Sequence, residues 1–339
     1  MKTAILCFSD AGAALARRLR DALDDDCTEI HSTEKFAVKY GFIPHTSVKA
    51  DMGGLFSAYD ALIFISAAGI AVREIAPHLK SKTEDPAVLV MDDGSKYVIP
   101  ILSGHIGGAN ALARKIEAMT GAKAVVTTAT DGAGRFSCDA WATEHNCAIS
   151  SIRLAKEVSA AILTREIPVF AEFPLPETLP GGLFPCASGE LGIYIGIRTA
   201  SPFEKTLRLI PRIVTLGVGC RKGTPEETVT GAVNAILQQN GIDPQSVKRV
   251  ASIDVKKEEP GLLACAEKLG VTAYFYTAEE LDAVPGEFHE SEFVRQTVGV
   301  GSVCERAAVK SAGGKLIIPK TATDGVTVAA AMEDWSVVF

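Results

Sequence analysis

One pattern constrains this chain more than any other: short apolar runs alternate with stretches of helical periodicity, and small-residue turns join many of them. Ala61 to Ser66 precedes a helical stretch from Ile70 to Leu79, Tyr97 to Ile101 precedes His105 to Met119, and Ile213 to Gly217 precedes Pro225 to Gln239, with a further short run at Ala124 to Thr127. Strand–helix–strand alternation is the mark of βαβ units, so the expected sheets are largely parallel. From about Ser137 to Leu209 the texture changes, with Pro168, Pro174, Pro176, Pro180, Gly181, Gly182, Pro185 and Pro202 interrupting any long element. Proline fixes φ and removes a donor, which assigns these positions to turns and strand edges. The predicted architecture is α/β: two mainly parallel-sheet lobes, 1–136 and 211–339, joined by a smaller Pro/Gly-rich middle module, 137–210.

Composition narrows the function classes. A chain of 339 residues with 47% hydrophobic side chains can bury a substantial interior, and this length suits more than one domain. Its net charge of −7 argues against a duplex-binding protein, which needs a basic excess to displace counterions. The apolar stretch Ala4 to Phe8 is too short for a signal peptide and reads as a first strand, and no run approaches the length of a membrane span. A cytoplasmic protein with no membrane partner is expected. The eight cysteines include no Cys-x-x-Cys pair and the six histidines are dispersed, so neither a disulfide framework nor a protein-bound metal is expected.

The best specified helix begins at Thr224-Pro225-Glu226-Glu227, which predicts Thr224 as N-cap, Pro225 at the first helical position and Glu227 closing a capping box. Val229, Ala232, Val233, Ile236 and Leu237 follow the spacing of a buried face, and Asn240-Gly241 ends it. An internal echo pairs Thr128–Gly132 (TATDG) with Thr321–Gly325 (TATDG), and without gaps it aligns Gly121 with Gly314 and Gly108 with Gly301. Asp-Gly is a common turn, which is the plainer account of the echo. The sharper one sets two similar loops at the carboxyl ends of strands, where α/β proteins bind ligands.

Several glycine-rich turns open onto helix starts, where bare amides and the helix dipole favour anions. In LGVGCRKGT, Gly217 and Gly219 would let the backbone approach a ligand, and Arg221 and Lys222 would add two cations. The order Lys-Gly-Thr and the Gly-x-Gly-x-x-x-Gly spacing match neither a P-loop nor a dinucleotide fingerprint. SGHIGGAN repeats the plan with Gly104, Gly107 and Gly108, and it places His105 where a ligand would arrive, although a histidine at a helix start is more often a capping residue than a catalyst. Arg73 follows a third such turn, where Arg73-Glu74 also reads as a solvated pair. SIDVKKEEPGL ends a strand in a mixed charge cluster, and VGVGSVCERAA opens a helix with Gly301, Ser302 and Arg306. Cys304 has no recognisable base beside it in sequence, so a buried thiol is the plainer reading.

Taken together, GHIGGANALA with the later TTATDG, LGVGCRKGT, SIDVKKEEPGL, and VGVGSVCERAA through LIIPKTATDGVTVA resemble the CbiG family of cobalamin biosynthesis. The likeness covers almost the whole chain, and Ile213 to Met332 is also similar to the CobE-type proteins. The resemblance implies a cobalt-precorrin-5A hydrolase, in which water opens a δ-lactone on the contracting macrocycle and the extruded two-carbon unit leaves as acetaldehyde. It implies a cobalt-carrying corrinoid as substrate, no cofactor held by the protein itself, and neighbouring pathway enzymes as further partners. His105, oriented by Asp131 or Asp324, is then the expected base, with the glycine turns and Arg73, Arg221, Lys222, Ser302 and Arg306 around the substrate's carboxylate arms. A non-catalytic corrinoid carrier would use the same cleft. A methyltransferase of the same pathway would need a methyl-donor site, and no convincing one stands in the sequence.

Overall fold

The computed structural model describes residues 1–23, 27–81, 84–104, 107–127 and 134–339. The chain forms two compact units, 1–143 and 144–339. The first runs β1 (Thr3–Cys7), α1 (Asp10–Leu23), β2 (Thr28–Thr33), α2 (Glu34–Tyr40), β3 (Ile43–His45), α3 (Val48–Ala58), β4 (Ala61–Ile65), α4 (Ala68–Ile75), β5 (Ala87–Met91), β6 (Tyr97–Leu102), α5 (Ala109–Thr120), β7 (Lys123–Ala124) and, at its end, α6 (Cys138–Glu144). Its seven strands lie in the order β3-β2-β1-β4-β5-β6-β7. β1, β4 and β5 are buried along their whole length, which is why they read as unbroken apolar runs. Two apolar layers cover the sheet: Ala16 and Leu19 of α1 with Ala113 and Ile116 of α5 belong to one, and Met52 and Phe56 of α3 with Ile75 of α4 to the other.

All pairings in this sheet are parallel except one, because β6 runs antiparallel to β5. The turn from Asp92 to Tyr97 explains it: the Asp92 carboxylate accepts from the amides of Gly94, Lys96 and Tyr97, folding a tight hairpin where no crossover helix intervenes. The helix expected from His105 starts only at Ala109, after Gly108 at φ 82°, and the strand expected at 124–127 is limited to Lys123–Ala124.

The second unit contains two five-stranded sheets. β8 (Cys147–Ile149), α7 (Ile152–Ala161), β9 (Ile167–Ala171), β10 (Leu183–Pro185), β11 (Leu191–Ile195) and β12 (Lys205–Pro211) build the first, in the order β10-β9-β11-β12-β8 with β8 antiparallel. The second comprises β13 (Val214–Cys220), α8 (Glu226–Gln239), β14 (Val247–Ile253), α9 (Pro260–Lys268), β15 (Thr272–Tyr276), α10 (Ala278–Asp282), α11 (Glu292–Val298), α12 (Val303–Ala312), β16 (Lys315–Thr323) and β17 (Val326–Met332). Its order is β15-β14-β13-β17-β16, parallel on one side of β13 and antiparallel on the other. The two sheets are tied into one unit by a 3.0 Å ion pair from Arg208 to the buried Asp243, by the Thr199 amide on the Gly241 carbonyl, and by an edge-to-face contact of Phe173 with Trp335.

The start of α8 differs from the predicted cap. Pro225 is the N-cap residue, and the Thr224 hydroxyl donates backwards to the Arg221 carbonyl instead of accepting from the helix. Its buried face and its end are as predicted, with Gly241 at φ 62°. The capping box in this unit stands elsewhere, at Thr277 and Glu280 of α10.

Candidate functional site

In the first unit the strand order reverses between β1 and β4, since β2 lies to one side of β1 and β4 to the other. Crevices at such reversals are ligand sites in open α/β sheets. A cavity of about 360 Å³ opens there, lined by Ser9, Ser66, Ala67, Asp92 and Asp93. The turn carrying Gly104, Gly107 and Gly108 does not face it. That turn follows β6, and because β6 is antiparallel, it lies at the amino ends of the parallel strands. Gly107 instead lines a larger cavity of about 800 Å³, together with Tyr59, Asp60, His78, Lys80 and Asp85. Two of the three glycines are there for the turn's own packing: a methyl at Gly107 would meet Ser103 Cβ at 2.3 Å, and one at Gly104 the Asn110 carboxamide at 2.8 Å. Gly108 has open space and a left-handed backbone. His105 and Asp131, with Thr128, Ala129, Thr130 and Gly132 of the first TATDG, lie outside the described residues. Arg73 is exposed on the last turn of α4.

In the second unit the carboxyl end of β13 collects most of the expected site residues, but not in the expected roles. A methyl at Gly217 would lie 1.8 Å from the Cys304 carbonyl oxygen, and one at Gly219 would lie 2.6 Å from the Thr327 hydroxyl. These glycines let α12 and β17 close on β13; their faces are filled by protein, not left open for a ligand. Two of the turn's amides are also occupied, that of Gly223 by Glu259 Oε1 at 2.6 Å and that of Thr224 by the Arg221 carbonyl. Those two amides are therefore closed to a ligand. Charge on side chains is available. The side chains of Arg221 and Lys222 are exposed and make no hydrogen bond or ion pair with any described residue, and exposed Lys257 joins them from the loop after β14. Lys256 is turned inward, 3.1 Å from the buried Glu259 carboxylate. Burial alone would raise the Glu259 carboxyl, but the Lys256 ammonium and the Gly223 amide outweigh it and hold it below the usual range.

Asp324 and Gly325 form the turn between β16 and β17, with φ of 48° and 79°, and Gly325 packs beside the Arg221 side chain. Two successive positive φ values in a two-residue connection are the geometry that Asp-Gly serves best. The second TATDG is thus the end of β16 and its hairpin turn. The Asp324 carboxylate is exposed at the same strand end as Arg221.

Gly301, Ser302 and Arg306 hold the protein together rather than a ligand. A methyl at Gly301 would collide with the Glu290 carboxylate. Arg306 is buried, donates to the carbonyls of Leu281, Asp282 and Val284, and reaches Glu290 at 2.9 Å, so it organises the 281–290 loop. Ser302 is fully buried and donates to Glu305 at 3.0 Å. Cys304 is a buried thiol, as expected, and burial pushes it up to about 11.

The sequence reading missed Glu305 and His289. Glu305 is wholly buried and its carboxylate accepts from Ser302 Oγ, from the amides of His289 and Lys320, and from His289 Nδ1 at 2.8 Å. The only signal was a glutamate three residues after Ser302, at the start of an apolar helix face. Its partner histidine is sixteen residues away in a loop of no regular pattern, so nothing in the spacing joins them. Among the described residues, no three His, Cys, Asp or Glu side chains gather as a metal site, and no helix is long and apolar enough to cross a membrane.

Exposed cations with no ion-pair partner among the described residues, at the carboxyl end of β13 in a mixed sheet, define an α/β protein suited to an anionic ligand. Two family models locate it further: that of the cobalamin synthesis G N-terminal region matches residues 51–131, and that of the cobalamin synthesis G C-terminus matches 214–331. A protein of Salmonella typhimurium named cobalt-precorrin-5A hydrolase is 36% identical over 96% of each chain. One of the same name from Priestia megaterium is 30% identical over 84% of this chain and 82% of its own. Protein CobE of a Sinorhizobium species is 36% identical over 35% of this chain and 79% of its own. The chain belongs to the CbiG family of cobalamin biosynthesis.

Proposed function

We propose that this protein is a cobalt-precorrin-5A hydrolase, which opens the δ-lactone of its corrinoid substrate with water and releases the extruded carbons as acetaldehyde, giving cobalt-precorrin-5B. The observation that carries this reading is coverage: likeness to the Salmonella hydrolase extends over 96% of both chains, so the working parts of both units are shared rather than one domain alone. The geometry of the second unit agrees with the substrate's charge. Arg221 and Lys222 keep their cationic groups in solvent, ready for peripheral acetate and propionate arms. Cobalt enters as part of the substrate. Of the groups expected to activate water, His105 and Asp131 lie outside the described residues, and Asp324 stands at the same strand end as the cations, in a hairpin turn.

Incubating the purified protein with the lactone intermediate tests the reading. A hydrolase releases acetaldehyde, whereas a corrinoid carrier changes the spectrum of its ligand and releases none. Replacing Arg221 and Lys222 together by Gln is expected to weaken substrate binding about tenfold or more while turnover at saturation stays within about threefold, since screened ion pairs to exposed arms act on affinity. Unchanged affinity would assign the pair to the solvated surface.

A further inference from the structure

The hydrogen bonds around Glu305 have a consequence for the reaction. Three of its four donors, the Ser302 hydroxyl and the amides of His289 and Lys320, belong to the fold and keep the carboxylate in place. Burial works against ionisation of this carboxyl, and the Lys320 amide, the His289 ring and amide and the Ser302 hydroxyl together outweigh it, so its pKa lies below the usual range. The fourth donor is different. His289 Nδ1 reaches Glu305 Oε1 at 2.8 Å, yet the imidazole itself is 69% exposed. A buried carboxylate receiving Nδ1–H fixes the tautomer, leaving the lone pair on Nε2, which has no partner among the described residues.

Support of the loop does not require that ring. The loop is already held by the His289 amide on Glu305, by the Ser291 amide on the Gly301 carbonyl at 2.8 Å, and by Arg306 on three carbonyls. An imidazole oriented by a buried anion and open on its far side is the arrangement that serves proton transfer. The loop that carries it follows β15, which runs parallel to β14 and β13, and so leaves the sheet at the end where the exposed cations stand. α12 sets its Cys304 against Gly217, the middle residue of β13, and Arg221 follows four residues on, about 13 Å along an extended strand.

We propose that His289, oriented by Glu305, is the base that activates the water which opens the lactone; this rests on the hydrolase reading above. An O–H bond of water breaks and its proton passes to His289 Nε2, while the oxygen bonds to the lactone carbonyl carbon and the carbonyl π pair moves onto its oxygen. When that pair returns, the bond from the carbonyl carbon to the ring oxygen breaks. The departing oxygen takes the proton from Nε2, leaving a carboxylic acid, an alcohol and the original imidazole. No electrons are gained or lost, and water is the one co-reactant.

The test is His289→Ala with the lactone intermediate, read by acetaldehyde release, by substrate affinity and by added imidazole. Because the ring is exposed, the variant is expected to keep the wild-type melting temperature within a few degrees and substrate affinity within about twofold. Turnover is expected to fall about 100-fold or more, and millimolar imidazole to restore part of it. Turnover within a few-fold of wild type overturns the proposal, as does a loss that imidazole leaves untouched or that follows weakened binding. A wild-type protein that binds the intermediate and releases no acetaldehyde overturns the hydrolase reading and this proposal together; an active wild type with an active His289→Ala overturns this proposal alone.

Discussion

A methyl group on Gly217 would have to occupy the space of the Cys304 carbonyl oxygen, only 1.8 Å away, and backbone on both sides cannot yield as a side chain tip would. Gly217→Ala is therefore expected to cost about 3 kcal/mol or more of stability in urea unfolding, at the upper end of what overpacking costs. Gly231 supplies the contrast. It lies inside α8 with nothing within 4 Å of an added methyl, so Gly231→Ala is expected to raise stability by about 0.5–1 kcal/mol. Equal effects at the two positions would contradict this account of Gly217. The pair also shows what was legible at this scale. That glycine joins strands to helices could be read from LGVGC and VGVGS, but whether a ligand or a neighbouring helix fills the missing side chain is a property of tertiary packing. The same holds for Arg306, which has the composition of a binding residue and the surroundings of a strut, held by three carbonyls and Glu290.

Elements were more legible than their directions. Strand and helix order followed from periodicity, and the buried face and end of α8 were fixed by local chemistry. The direction of β6 was not, since an antiparallel partner is chosen by a tight turn at Asp92 that looks like any polar loop, and that choice carries the Gly104–Gly108 turn to the amino ends of the parallel strands. The β16–β17 hairpin is where sequence and geometry agree most closely. With φ of 48° and 79° at Asp324 and Gly325, Asp324→Asn supplies an equally favoured turn residue and is expected to leave stability within about 0.5 kcal/mol. Gly325→Ala places a side chain in the left-handed region and is expected to cost about 1 kcal/mol, measured by thermal unfolding. Asp324→Asn is also expected to keep acetaldehyde release within a few-fold of wild type. A loss of turnover in that variant with the fold intact would return the carboxylate to the reaction.

For the whole molecule, acid separates the two units. In the first, His31 is buried between His45, 2.9 Å from its Nδ1, and Tyr59, 2.9 Å from its Nε2. Burial, then the neighbouring His45, lowers its pKa from 6.5 to about 4, with Glu29 opposing the shift. The unfolded chain thus binds a proton that the folded one refuses. The stability tied to this group is complete above pH 6.5 and declines as pH falls towards 4, by about 3 kcal/mol over that interval. In the second unit the buried carboxyls Glu305 and Glu259 are, like the more exposed Glu226, Glu279 and Glu290, held below the usual carboxyl range. Their contribution is complete above about pH 4.5 and is lost only below it. Each unit has one tryptophan, Trp141 in the first and Trp335 in the second, so Trp335→Phe and Trp141→Phe variants report the units separately by fluorescence. Between about pH 6.5 and 4.5 the urea midpoint seen by Trp141 is expected to fall while that seen by Trp335 holds, and below about pH 4.5 both fall. If the Trp335 transition moved first, neutral burial of His31 would not be the feature that sets the acid limit of the first unit.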